Sequence, residues 1–162
     1  MDYYAERPTT TLTYAPWPRR VLSGVIDAFA LSFLLSIFFA RADSRFVDAF
    51  EKGKVIASGD VRTLMLGSLV VAVVYFTAFH SWRGATPGKM AARTVLVQDT
   101  GEPVTTQIAF VRAVAFVGIE FISGFLFFLP IILNELRPIW DPKRQTFHDR
   151  LAHTVVVLRK TQ

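Results

Sequence analysis

Cysteine is absent from this 162-residue chain, and disulfides, thiolate nucleophiles, iron–sulfur ligation and thiolate zinc sites are excluded with it. The redox compartment is therefore unreadable. Imidazole is scarce as well, since His80, His148 and His153 are the whole supply. No serine stands near His148 and Asp149 with a supporting acid, so a hydrolase triad is not expected. The stretch Gly84-Ala-Thr-Pro-Gly88-Lys89-Met90 fails as a phosphate loop, which needs four residues between its glycines and Ser or Thr after the lysine. The chain is accordingly read as a non-enzyme with no cofactor and no metal.

Charge is missing over long stretches. From Val21 to Ala40 the one charged residue is Asp27, and from Thr63 to Phe79 there is none. At ~1.5 Å rise per residue such runs match a hydrocarbon layer of ~30 Å. With 52% apolar and 14% aromatic residues and a mean hydropathy of +0.37, the chain reads as a membrane protein. A net charge of +5 would point to nucleic acid in a soluble protein, but beside these runs it reads as Lys and Arg on the cytoplasmic face. The expected partner is the lipid bilayer, not nucleic acid. Arg19-Arg20 ahead of an apolar run ending Ala40-Arg41-Ala42 resembles a signal peptide, but the run is about twice a typical h-region and carries Asp27, so a retained span is expected.

The predicted fold class is an all-α membrane protein, a small bundle of three to four transmembrane helices with a minor cytoplasmic two-stranded β element. Residues 1–18 lack periodicity and read as a mobile tail, with Trp17 in the headgroup belt. The membrane domain is expected over 19–158. Its spans are about 21–40, 63–80 and 108–126, with a short or re-entrant segment at 127–140 interrupted by Pro130, Asn134, Glu135, Arg137 and Pro138. Residues 41–61 read as a solvated connection, 81–107 as a cytoplasmic loop and 159–162 as a C-terminal tail. Within that loop Thr86-Pro87 is a helix start, with Thr as N-cap. Thr94–Val97 and Thr154–Leu158 are strands of like composition, able to pair if they share a side. An even number of crossings places most Lys and Arg on one face, which predicts an inner-membrane protein with both termini cytoplasmic.

The intramembrane acid carries the functional question, because a carboxylate at mid-bilayer costs about 2.5–3.5 kcal/mol on insertion scales. Arg20 lies seven residues before Asp27 and returns to nearly the same helix face, so its guanidinium is expected to reach the carboxylate. Arg112 and Glu120, eight apart, repeat the arrangement, each acid lying ~10–12 Å deeper than its arginine. If Asp27 and Glu120 face each other they form a proton or monovalent-cation site. Alternatively each is neutralised by its own arginine or by a backbone donor and only fixes packing. His80 is read as a proton relay or an interfacial anchor, and Asp149 as a partner of Arg20 or Arg19 that ties the tail to the first helix.

These residues resemble the RDD family of small bacterial membrane proteins over about residues 15–158. Arg-Arg-x6-Asp places Arg20 and Asp27 on the family's arginine and first aspartate. GATPGKMAARTVLVQDTGEPV, which contains Lys89, is similar to its "GaTpGK…VvD…G" segment. KRQTFHDRLAHTVVV is similar to its closing "HDrlAgTvVv", which puts His148 in the motif and Asp149 on the second aspartate. His153 stands where the family has glycine, so the turn into the last strand is expected to differ. The resemblance implies an integral membrane protein with a suspected transport role. Two readings stay open: transport of protons or sodium, with Asp27 as the ion-binding carboxylate, Arg20 tuning it and Asp149 gating; or an accessory or scaffold subunit of a larger membrane complex. A chain this small is expected to form a homo-oligomer or to join other membrane subunits.

Overall fold

The computed structural model describes residues 12–42 and 58–159; the expected connection between the first two spans lies largely outside them. Helix α1 (Trp17–Ala42) opens with Pro18 in its first turn, where a missing N–H breaks no intrahelical bond. Helix α2 (Ser58–Arg83) follows, then α3 (Pro87–Ala91), β1 (Thr94–Gln98), α4 (Thr106–Phe125), α5 (Leu129–Leu136), a 3₁₀ turn (Arg137–Ile139), α6 (Phe147–Leu151) and β2 (Thr154–Leu158). Three of the helices, α1, α2 and α4, are long and apolar enough to cross a membrane. Their large apolar side chains, among them Phe29, Phe33, Val70, Val74, Phe110 and Ile122, point away from the protein, as lipid-facing surfaces do.

The segment at 127–140, expected to be a short crossing or re-entrant, does not form one helix. Phe127 and Phe128 take positive φ (50° and 62°), and the chain reverses there, with the Phe128 N–H donating to the Ser123 carbonyl at 2.8 Å. Pro130 fits the first turn of α5, which at eight residues is about 12 Å long, too short to span. Pro138 then lies in the 3₁₀ turn. The result is a helical hairpin whose tip, Phe125 to Leu129, is exposed and wholly apolar.

At the other end of the bundle β1 and β2 pair antiparallel, Thr94 opposite Leu158 and Gln98 opposite Thr154. Residues 12–18, expected to belong to a mobile tail, are ordered. Tyr14 bridges Val157, the Ala15 N–H donates to the Val156 carbonyl, and the Leu158 N–H to the Thr13 carbonyl, both at 2.9 Å. The free edge of β2 supplies unpaired backbone groups, and a segment without periodicity of its own satisfies them. Ala15 is fully buried with Leu96, Val104, Ala109 and Val156. Both described ends of the chain thus lie at one end of the bundle. Between the layers, Tyr75 and Phe76 of α2 pack with Ala113 of α4, while α1 is held chiefly by α3.

Candidate functional site

Two polar clusters hang on α1, about two helical turns apart, at Asp27 and at Arg20. The first surrounds Asp27, which is 3% exposed. Its carboxylate accepts from Tyr75 Oη at 3.1 Å, Thr86 Oγ1 at 2.5 Å and the Gly88 N–H at 2.8 Å. Thr86 is the N-cap of α3, so its hydroxyl donates to Asp27 while accepting from the Lys89 N–H. Asp27 therefore sits where the positive end of α3 begins, its charge spread over three neutral donors. Gly88 is obligatory for this approach: a Cβ there would lie 2.1 Å from the Ser23 carbonyl oxygen and 2.7 Å from Asp27 Cγ.

Arg20 does not reach Asp27. Among the described residues Asp27 has no cationic partner, which corrects the expected pair. Instead both guanidinium ends of Arg20 go to Asp149 Oδ2, and Nη1 also donates to the Arg144 carbonyl at 2.7 Å. Three neutral donors hold the Asp27 carboxylate, whereas the fully buried Asp149 carboxylate is the one that both guanidinium groups reach. Arg112 serves the other face of that carboxylate, with Nε at 2.9 Å and Nη2 at 2.7 Å from Oδ1, and so it is not the partner of Glu120 either. Burial alone would raise the Asp149 carboxyl, but Arg20 and Arg112 outweigh it and hold it far below the usual carboxylate range. The capping box of α6, in which Thr146 and Asp149 exchange bonds, presents the acid to both arginines.

His148 extends the cluster. Arg112 Nη2 lies 3.0 Å from its Nε2; because a guanidinium only donates, Nε2 accepts, and Nδ1 carries the proton toward Asn134 Oδ1 at 3.2 Å. Burial and then Arg112 push His148 well below its ordinary value, so the ring is neutral. Asn134 in turn accepts from the Phe147 N–H and donates to Glu135 Oε1 at 2.9 Å. This relay ties α5 to α6. Arg137, donating to the Gln145 and Thr146 carbonyls and paired with Asp141 at 3.1 Å, holds the loop before α6.

The remaining expected residues scatter around these clusters. Arg19 donates to the carbonyl of Ala92, the C-cap of α3, at 3.3 Å. His80 is fully buried, its ring stacked on Phe76 at 6.0 Å, and neither ring nitrogen has a partner among the described residues. Lys89, 8% exposed, has no side-chain partner among the described residues, and burial, then Arg112, push it down to about 8.

Glu120, Glu135, Lys89 and Asp27 line one cavity of about 580 Å³ between α1 and the α2–α4 pair. Arg20, Arg112 and His148 also line it, together with the apolar Leu31, Leu69, Phe76 and Phe116. Glu135 is raised by burial and then by Asp149. The cavity thus brings Asp27 and Glu120 to one space, but only Glu120 is free there. Sequence reading missed Tyr75, Gly88, Asn134 and Glu135 as site residues. Gly88, in its Thr-Pro-Gly turn, and the polar Asn134-Glu135 within an apolar run were visible signals; Tyr75 had none.

Residues 14–153 match the RDD family. Among curated proteins, the Proline-rich antigen homolog of Mycobacterium tuberculosis, in strains CDC 1551 / Oshkosh and ATCC 25618 / H37Rv, is 27% identical over 168 residues, which cover 94% of this chain and 67% of the relative. No solved structure matches the chain.

Proposed function

From the premise that this chain belongs to the RDD family of membrane proteins, we propose that it is a non-enzymatic inner-membrane protein, both termini cytoplasmic, that moves protons or sodium through the cavity beside α1. The observation that carries this reading is the division of labour among the acids. Asp27 and Asp149 are saturated by protein donors, whereas Glu120 and Glu135 line the cavity without an ion-pair partner among the described residues. The exchangeable carboxylates are then Glu120 and Glu135, and the Arg-Asp-Asp set holds the cavity's frame. A bilayer interior disfavours an unpaired carboxylate, so each would take a proton or a cation.

The test is flux in sealed vesicles containing the purified full chain. Glu120→Gln and Glu135→Gln should each abolish proton- or sodium-dependent fluorescence changes while leaving the unfolding midpoint within the wild-type range. Unaltered flux in the double variant would remove the reading. The saturation of Arg20, Asp27 and Asp149 favours a second reading, an accessory or scaffold subunit in which these residues only shape a docking unit. In that case the wild-type protein carries no flux, and a second membrane subunit co-purifies with it and with the Glu120 and Glu135 variants.

A further inference from the structure

The cavity is amphiphilic, and its charges have both signs. At its deep end Arg20 and Arg112 spend their forks on Asp149, and Asp27 is held by three neutral donors. Once those are counted, three ionisable groups are left facing the space: the Lys89 ammonium, contributed by α3, and the Glu120 and Glu135 carboxylates, contributed by α4 and α5. Lys89 is more than nine-tenths buried, with no side-chain hydrogen bond or ion pair among the described residues. The carboxylates that act on it, Asp27 and Asp149, are already engaged by other donors, so the ammonium has no anion in direct contact.

The rest of the lining is mostly apolar, with Ser23, Ser32, Ser68 and Thr146 among it, and along α1 it runs from Arg20 to Leu35, about 22 Å of helix at 1.5 Å per residue. Val25, which lines the cavity, and Phe29, which does not, are both exposed on α1, so the slot opens beside a lipid-facing surface. Its volume of about 580 Å³ falls within the ~300–1,000 Å³ of ligand pockets. A purely anionic ligand would meet Lys89 but confront Glu120 and Glu135; a purely cationic one would do the reverse. We infer that the cavity binds the headgroup of a phospholipid with a primary ammonium, its phosphate at Lys89 and its ammonium at Glu120 and Glu135, the acyl chains leaving past the exposed apolar face of α1 into the bilayer.

Gly24 makes the inference testable without disturbing the charged clusters. It lines the cavity, and a Cβ there would meet nothing within 4 Å, so Gly24→Phe fills the space from α1 alone. The full chain is reconstituted in vesicles of phosphatidylcholine containing either phosphatidylethanolamine or phosphatidylglycerol, re-extracted, stripped of loose lipid and weighed by native mass spectrometry. The expected result is one phosphatidylethanolamine retained per chain, at least tenfold over the other two lipids. Lys89→Gln and Glu120→Gln should each reduce retention about tenfold, and Gly24→Phe should abolish it with an unchanged unfolding midpoint.

Equal retention of phosphatidylglycerol would overturn the ammonium half of the assignment, and equal retention of phosphatidylcholine would overturn selectivity for a primary ammonium. Soluble phosphoethanolamine displacing the lipid at micromolar concentration would make the site one for a free headgroup. Retention undiminished in Gly24→Phe would place the lipid elsewhere. No ion gradient enters these measurements, so a failure of ion transport leaves them standing.

Discussion

Replacing Asp149 with asparagine keeps the shape of the side chain and removes its charge. In the wild type four guanidinium contacts converge on that carboxylate, two from Arg20 and two from Arg112, and the arginines are 8% and 5% exposed. Asparagine would leave two buried cations facing each other, with an amide nitrogen pointing at one of them. Breaking a buried ion pair from one side costs about 3–5 kcal/mol, because the orphaned charge stays desolvated. Against a typical total of roughly 5–15 kcal/mol, that is enough to shift the unfolding midpoint outright. The assay is denaturant unfolding in mild detergent, followed by the fluorescence of Trp17, Trp82 and Trp140. Removing Arg112 as well, as Gln, should recover part of the loss, so the double-mutant cycle should show a coupling of at least about 1 kcal/mol. Because Arg20 and Arg112 depress the folded acid, its contribution is present above the unfolded value near 3.8 and is lost as pH falls through the folded one. Wild-type protein should therefore show an acid destabilisation below about pH 4 that Asp149→Asn lacks. A variant within 0.5 kcal/mol of wild type, or a strictly additive cycle, would refute the clasp.

Gly88→Ala should lose about 2–4 kcal/mol, since its methyl meets the α1 backbone and displaces Asp27 from its donors; Gly24→Ala, with open space around it, should gain roughly 0.5–1 kcal/mol by the same unfolding assay. Burial lowers Lys89 from 10.5 to about 8, so between those values the unfolded chain binds the extra proton and stability should rise with pH, by at most roughly 3 kcal/mol. Lys89→Met should flatten that limb of a stability-versus-pH curve, and a slope that survives the substitution would assign it to another group. With no native cysteine to interfere, Phe127→Cys at the exposed hairpin tip should resist membrane-impermeant maleimide from both sides of sealed vesicles, because five consecutive apolar residues belong in hydrocarbon. Rapid labelling from one side would make the hairpin a full crossing.

The membrane class and the three long helices were legible because hydropathy over twenty residues is a property of the chain itself. So was the β pair, whose two Val-rich stretches needed only a common side. The hairpin was half legible: Pro130, Asn134 and Pro138 announced an interruption, but the reversal depends on Phe127 and Phe128 adopting left-handed backbone, which no aromatic residue advertises. His153, at the turn expected to differ, also takes left-handed backbone, with φ 51°, which strains a residue that carries a Cβ. The segment before Trp17 carried no pattern because its order is borrowed from the edge of β2.

Charged residues in the apolar runs told the sequence reader that each acid must be compensated, since lipid offers neither water nor counterions. Spacing along one helix named Arg20 for Asp27 and named it wrongly, since Asp27 goes to Tyr75, Thr86 and Gly88; the acid in the basic closing segment named Asp149 for Arg20, and that pair forms across 129 residues. Local periodicity measures which groups share a helix face. Which of several buried charges wins a given partner is decided by how the elements pack around it, because desolvation and donor geometry are set jointly by every segment that meets there.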